Sequence, residues 1–302
     1  MGTTTDPTNT DESAIDTYEV LIVGGGVAGL SAATFTARAS LDTAVITAGE
    51  SILKRNAHVE NYPGFPAGVN PRLLIDMQRS QATRNGADMV HGRVTRLKHV
   101  GTADGDLDVS DDARFLATIA GDADTDADAA GNDAAGDAGS GATAATDRTI
   151  AAERVIAASW ADASYLDPVD PDRREAGSKT YLEDDGDGRT TVEGLYAAGR
   201  LAERYHQAVV AAGDGARTAI TLIHDAEIPF YHDWVAPEGY FTDRGREVPP
   251  GCEEVSETER RARERESIAA MQEYFATPHE DRQRTHPSLV DDDLGRVPGT
   301  DR

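Results

Sequence analysis

The stretch "YEVLIVGGGVAGLSAATFTARASLDTAVIT" near the start of the chain constrains its fold more than any other. An apolar run at residues 18–23 ends at a glycine-rich turn, and an alanine-rich segment with helical apolar spacing follows at 27–40. Residues 43–47 then predict a second strand. This order predicts a βαβ unit, in which the turn opens directly onto the first helix.

The turn carries the pattern G-x-G-x-x-G at Gly24, Gly26 and Gly29. In such a turn the first glycine permits the bend, the second lets backbone approach a pyrophosphate, and the third lets helix and strand pack closely. Free N–H groups and the helix dipole then favour phosphate at the helix start, where Val27 and Ala28 complete the predicted contacts. The pattern therefore predicts a dinucleotide site; the alternative is a glycine-rich turn without a ligand.

An acidic residue for the adenosine ribose is expected near the end of the second strand. Thr47 or Ala48 occupies that position, and Glu50 follows shortly after. The ribose contact is therefore predicted to be either Thr47 or Glu50.

The net charge of −25, from 29 basic and 54 acidic residues, opposes binding to nucleic acids and to anionic membranes. Lysine occurs only at Lys54, Lys98 and Lys179. A composition rich in aspartate and poor in lysine is typical of halophilic proteins, in which salt screens the self-repulsion. An acidic mesophilic protein is the alternative interpretation.

The sequence contains one cysteine, Cys252, so it can form neither an intramolecular disulfide nor a Cys-x-x-Cys pair. Its first residues lack the apolar core of a signal peptide, and no run approaches the roughly 18 apolar residues of a membrane helix. We expect a soluble, cytoplasmic protein.

Two segments are too polar to bury a core and are predicted to be disordered: residues 1–17 and the Ala-, Asp-, Gly- and Thr-rich insertion at 121–147, which would join two strands. Helices are predicted at 71–85, opening with Pro71, and at about 206–227. Residues 227–302 form a C-terminal part with an aromatic arm, a helix capped by Ser256 and Glu259, and a loose tail.

Three further stretches carry a family resemblance: "HVENYPGFP", "RVIAAS" and "GLYAAGRLAERYHQAVVAAGDGA". Together with the glycine motif they resemble, in order, the flavin-binding motifs of low-molecular-weight thioredoxin reductases, over residues 18–226 apart from the insertion. The resemblance, here of a haloarchaeal type, implies an α/β fold with a single FAD-binding Rossmann-like domain of the two-dinucleotide-binding flavoprotein type. FAD is the implied cofactor.

The resemblance also assigns positions to the flavin. It places Asn61 beside the isoalloxazine, Ser159 at the strand end that touches the cofactor, and Gly199 in the Ala-Ala-Gly turn. Gln207 and Ala208 would present the start of a helix to the flavin N1/O2 edge, where the helix dipole stabilises negative charge.

Several departures from the family pattern qualify the resemblance. About 20 residues follow Ser159 before the next strand, too few for the family's NAD(P)H domain, so that domain is predicted to be deleted. The family's dithiol is also missing. Arg200 replaces an aspartate that would accept hydrogen bonds from flavin hydroxyls, and His206 replaces an arginine. Arg200 either clamps the FAD pyrophosphate or marks a site that no longer holds FAD. His206 is either a titrating group near the flavin or a polar residue at a helix start.

These observations predict an FAD-dependent oxidoreductase without a dithiol, which takes electrons from reduced ferredoxin or diffusing NAD(P)H. A non-catalytic flavin or nucleotide sensor is the alternative. The resemblance further implies a homodimer.

Overall fold

A computed structural model describes residues 15–101, 109–120, 147–160, 163–177, 179–230 and 233–280. The described strands are β1 (Asp16–Val23), β2 (Thr43–Thr47), β3 (Asp88–His91), β4 (Arg93–His99), β5 (Phe115–Ala120), β6 (Arg148–Ala157), β7 (Arg173–Ala176), β8 (Lys179–Leu182), β9 (Leu195–Ala197), β10 (Trp234–Pro237) and β11 (Cys252–Val255). The described helices are α1 (Val27–Arg38), α2 (Pro71–Arg84), α3 (Ala208–Asp225) and α4 (Glu257–Tyr274).

The main sheet is built around β1, which pairs in parallel with β2 on one side and β6 on the other. The described strands follow the order β3-β2-β1-β6-β5-β4, and β9 also pairs with β6. The first half of β6 pairs antiparallel with β5, whereas its last three residues pair in parallel with β9. The carboxyl ends of β1, β2, β6 and β9 therefore meet at one edge, where open α/β sheets bind ligands.

Alternating residues of β1 point into two separate cores. Val20 and Ile22 pack with α1 and α3 on one face, and Leu21 and Val23 pack with Phe115 and its neighbours on the other. A strand buried on both faces must be apolar throughout, which explains the continuous run that ends at Val23.

Helix α1 is packed tightly between the sheet and α3. A Cβ atom on Gly29 would lie 1.9 Å from the carbonyl oxygen of Gly24, and one on Gly215 would lie 2.0 Å from the carbonyl oxygen of Ala28. Both distances are far shorter than a nonbonded carbon–oxygen contact. Gly29, where α1 meets the strand turn, and Gly215, where α3 meets α1, must therefore be glycine.

The mixed α/β fold predicted from the sequence is confirmed, and β2 has the predicted bounds. The prediction of disorder for residues 1–17 is wrong for Asp16 and Thr17, because these two residues begin β1 and pair with β6. Residues 1–14 lie outside the described part. Helix α3 begins at Ala208 rather than at 206, since Gln207 is its extended N-cap.

The insertion at 121–147 lies almost wholly outside the described residues, but the strands that it joins, β5 and β6, are antiparallel neighbours. Between β6 and β9, the described residues form a short 3-10 helix, Ser164–Leu166, and the hairpin β7–β8. These described residues contain no further βαβ unit, so this connection differs from one that carries a nucleotide-binding domain.

The C-terminal part contains a feature that the sequence reasoning missed. Strands β10 and β11 pair in parallel, where an extended arm was expected. Ser256 caps α4 by accepting a hydrogen bond from the Glu259 N–H, as the capping-box pattern predicts. Helix α4 has no buried residue, and Arg38 of α1 binds Asp233 at the base of the ribbon.

Two glycines of α3 provide a matched test of the close helix packing. We expect Gly215→Ala to lower the free energy of unfolding by about 1–3 kcal/mol, because its methyl group collides with the α1 backbone. Gly213→Ala meets no atom within 4 Å and should raise that free energy by about 0.5–1 kcal/mol through helix propensity. Denaturant unfolding of both variants measures the difference, and a stable Gly215→Ala would contradict the packing.

Candidate functional site

The glycine turn after β1 opens onto an uncapped helix. Gly24 has a φ of 120°, and a Cβ there would lie 2.5 Å from the Ala158 carbonyl oxygen, so the turn passes directly over the end of β6. Gly26 is the N-cap of α1 and provides no side-chain hydrogen bond to the helix. A Cβ on Gly26 would have the Ser51 hydroxyl, 3.8 Å away, as its nearest described neighbour. The fold does not require glycine at this position, and the lack of a side chain keeps the start of α1 open.

A second uncapped helix start lies nearby. Gln207, the N-cap of α3, makes no side-chain bond to its own helix. Its side-chain oxygen instead accepts a hydrogen bond of 2.6 Å from the Asn61 amide. Asn61 belongs to a loop that Val59 and Val69 close by two backbone hydrogen bonds. The two residues that the resemblance assigned to the flavin edge thus contact each other, although they lie far apart in the sequence.

The helix starts are joined by an apolar cluster and an open cleft. Leu53 and Ala208, which begins α3, both pack against the cluster that Val27 and Leu30 of α1 form with Ile75. Beside it lies a cleft of about 400 Å³, lined by Leu53, Asn56, His58, Val59, Glu60, Asn61, His206, Gln207 and Ala208. The N–H groups at both helix starts are therefore positioned to favour negative charge on a ligand in this region.

Asp214 of α3 holds the turn that follows β9. Its carboxylate is almost fully buried and accepts hydrogen bonds from the Gly199 N–H at 2.7 Å and from Arg204 at 2.8 Å. Arg217 approaches the same carboxylate at 2.6 Å. The sequence reasoning missed this residue, although an acidic side chain between two glycines on a small-residue helix face was an available signal.

Arg200 lies on the hairpin side of this turn. Its guanidinium stacks over the Tyr181 ring, 4.8 Å from the ring centroid, and donates hydrogen bonds to the Tyr181 hydroxyl and to the Arg204 carbonyl. Arg200 is thus positioned by β8, and neither of its hydrogen-bond partners belongs to the glycine turn after β1.

His206 is exposed and contacts the indole of Trp160 edge-on, with ring centroids 4.9 Å apart. Desolvation and repulsion by Arg200 and Lys179 hold the pKa of His206 below its ordinary value. This shift in pKa favours the neutral imidazole over the imidazolium.

The remaining candidates lie around the strand ends. The Ser159 hydroxyl, after β6, is 3.0 Å from the Tyr165 hydroxyl. Thr47 is buried beneath the glycine turn, since a Cβ on Gly25 would lie 2.8 Å from it. Glu50 is about half exposed and pairs with Lys54 at 3.1 Å.

Two other classes of site are absent from the described residues. No helix in this part is long and apolar enough to cross a membrane. No group of three or more His, Cys, Asp and Glu residues there could hold a metal ion.

Comparison with known proteins agrees with this geometry. The "FAD binding domain" family model matches residues 19–57, which include the glycine turn and β2. Thioredoxin reductase from Streptomyces coelicolor is 43% identical over 79 residues, which are 25% of this chain and 24% of the relative. Thioredoxin reductase from Aquifex aeolicus is 40% identical over 79 residues, 26% of this chain and 24% of the relative. The chain is similar to thioredoxin reductases over about a quarter of its length.

These matches span about a quarter of the length of each curated relative. Among solved structures, an oxidoreductase from Agrobacterium tumefaciens has a TM-score of 0.53 at 16% identity, with 70% of this chain and 99% of that chain covered. At this identity the likeness shows the fold alone. The family-model match and the relatives together indicate FAD binding, and they do not favour a sensor.

The residues present fit this cofactor. The open space at Gly26, which a side chain would fill, lies at the uncapped start of α1 and suits a pyrophosphate. The cleft at the start of α3 combines backbone N–H groups with the Asn61–Gln207 pair, as a polar ring edge requires.

The buried Asp214 can be tested with an exposed aspartate that contacts one of the same arginines. Asp214→Asn should lower the free energy of unfolding by about 1–3 kcal/mol, because it removes the charge that binds Gly199 and Arg204. Asp187→Asn, whose carboxylate is exposed and 3.7 Å from Arg217, should change it by less than about 0.5 kcal/mol. Equal effects in denaturant unfolding would exclude the proposed anchoring role.

The lowered pKa of His206 is testable by NMR. Arg200→Met removes one of the two cations that repel the imidazolium, so the pKa of His206 should rise toward its ordinary value. Titration of the imidazole C–H resonances measures this change. Arg114→Met, which removes a surface arginine paired with Glu193, should leave the resonance unchanged. An unchanged pKa in Arg200→Met would contradict the electrostatic cause.

Proposed function

We propose that this protein is an FAD-dependent oxidoreductase related to thioredoxin reductases, with external electron donors and acceptors. One observation carries the proposal: the start of α1 and the start of α3, with its Asn61–Gln207 pair, share one apolar cluster beside an open cleft. The family-model match and the thioredoxin reductase relatives support FAD as the cofactor.

The chain's own groups have separate roles in this proposal. The start of α1 binds the pyrophosphate through backbone N–H groups, in the space that Gly26 leaves open. Of the two candidates for the ribose, Glu50 is the one that a ligand can reach, because Thr47 is buried under the turn. FAD, when bound, supplies the exchange of electrons with donor and acceptor. The start of α3 stabilises negative charge at the ring edge.

The proposed donor and acceptor both come from outside the chain. The described connection between β6 and β9 is a 3-10 helix and a hairpin rather than a second nucleotide-binding unit. Cys252 is the one cysteine of this sequence and lies on β11 in the C-terminal ribbon. We therefore propose reduced ferredoxin or diffusing NAD(P)H as the donor, and an acceptor that is reduced without a dithiol in this chain.

The visible absorption spectrum tests the cofactor assignment. The purified protein, kept in high salt to suit its acidic composition, is mixed with FAD and freed of unbound cofactor. A flavin band at one FAD per chain is expected, and it should bleach with the true donor. A colourless protein that retains no FAD would refute the proposal.

A matched glycine pair separates binding from folding. Gly26→Ala should leave the free energy of unfolding nearly unchanged, because its methyl group meets no atom closer than 3.8 Å. It should weaken FAD binding at least tenfold by occupying the pyrophosphate space. Gly213→Ala adds a methyl group to open space outside the cleft and should bind FAD like the unmodified protein. Quenching of FAD fluorescence measures both affinities; equal values would show that the phosphates bind elsewhere.

A further inference from the structure

A group of five cationic and aromatic side chains lies at the edge of the flavin cleft. This basic aromatic cluster consists of Trp160, Lys179, Tyr181, Arg200 and His206. Trp160 follows β6, Lys179 and Tyr181 lie on β8, Arg200 follows β9, and His206 precedes α3. The fold thus brings three separate segments together at the ligand-binding edge of the sheet: the end of β6, strand β8 and the connection from β9 to α3.

The cluster is connected by ring and cation contacts. The Lys179 ammonium lies 5.9 Å from the centroid of the Trp160 indole, and the same indole contacts His206 edge-on. Arg200 stacks on Tyr181 and is held by the Tyr181 hydroxyl. Cation–π contacts position the two charges without neutralising them.

The charge of the cluster is opposite to that of the molecule. The sequence has a net charge of −25, and arginines such as Arg189 and Arg204 pair with carboxylates. Within the described residues, neither Lys179 nor Arg200 pairs with a carboxylate. Both repel the imidazolium form of His206, so their charges are felt at the edge of the cleft. A local positive potential on an acidic protein attracts an anion.

The aromatic surface of the cluster is open. Trp160 is 37% exposed and the neighbouring Tyr205 is 83% exposed, which leaves flat apolar area beside the cations. Tyr181 is buried on β8, and its packing explains why Arg200 stacks on it. This packing does not explain an indole that stays exposed between Lys179 and His206. An exposed ring beside fixed charges is suited to a flat ligand that stacks on the ring.

We propose that the basic aromatic cluster binds a planar aromatic anion, such as an aromatic carboxylate, beside the flavin cleft. Trp160 provides the stacking surface, and Lys179 and Arg200 bind the anionic group. His206 lines both the cluster and the cleft, so a ligand bound here lies next to the flavin site. This inference rests on the proposed function.

Benzoate is the probe, and Trp160 is the reporter. The chain has two tryptophans, so Trp234→Phe leaves Trp160 as the sole source of tryptophan fluorescence. The FAD-loaded and FAD-free forms of this variant are titrated with benzoate and with benzamide, its neutral counterpart, at one salt concentration. Benzoate should quench saturably in both forms, with a dissociation constant at least tenfold lower than that of benzamide.

Charge-removing variants locate the anion. Lys179→Met and Arg200→Met should each weaken benzoate binding at least tenfold and leave benzamide binding within twofold. Lys98→Met, on β4, and Arg114→Met remove equal charges outside the cluster and should leave both affinities unchanged. Circular dichroism checks that each variant is folded, and the comparison of benzoate with benzamide does not depend on any variant.

The outcomes distinguish this inference from the proposed function. Retention of FAD without preference for benzoate over benzamide would overturn the inference and leave the oxidoreductase proposal intact. Saturable, charge-dependent benzoate binding to a protein that retains no FAD would keep the anion site and overturn the oxidoreductase proposal. Equal weakening by the cluster and control variants would show general attraction to positive charge and would also overturn the inference.

Discussion

Helix α3 approaches helix α1 so closely that one added methyl group at Gly215 would overlap the Ala28 carbonyl. This contact holds α3 against α1, which itself lies against the strand turn through Gly24 and Gly29. Two helix starts that carry free N–H groups are consequently directed at one region, beside the carboxyl ends of the parallel strands. A side chain at this position would push α3 away from α1.

Ion pairs around Asp214 also stabilise this arrangement. Asp214 binds the backbone of Gly199 and two arginines from a buried position on α3, so the turn after β9 is attached to the same helix that forms the cleft. The cations of the basic aromatic cluster contact aromatic rings instead. Pairing with carboxylates therefore stabilises the frame of the site, whereas contacts with aromatic rings leave charge available at its edge.

Much of the fold could be predicted because its signals are local. The glycine pattern, the apolar run of β1 and the proline at the start of α2 each act within a few residues, and each predicted its element. The pairing of β10 with β11 was not predictable in this way, since it joins two four-residue segments through backbone groups that have no side-chain signature. Strand β7 was missed for the same reason. Within the site, the helix starts were predicted, but the stacking of Arg200 on Tyr181 depends on a hairpin whose position only the tertiary structure provides.

Strand β6 pairs with a different strand at each of its two ends. Its first residues face β5 and its last residues face β9, so the chain that enters β6 does so at the edge opposite the cleft. The connection from Ala120 to Arg148 is attached at that remote edge. A fluorophore attached at Ala120 or Arg148 would therefore lie at the end of the sheet away from the cofactor contacts.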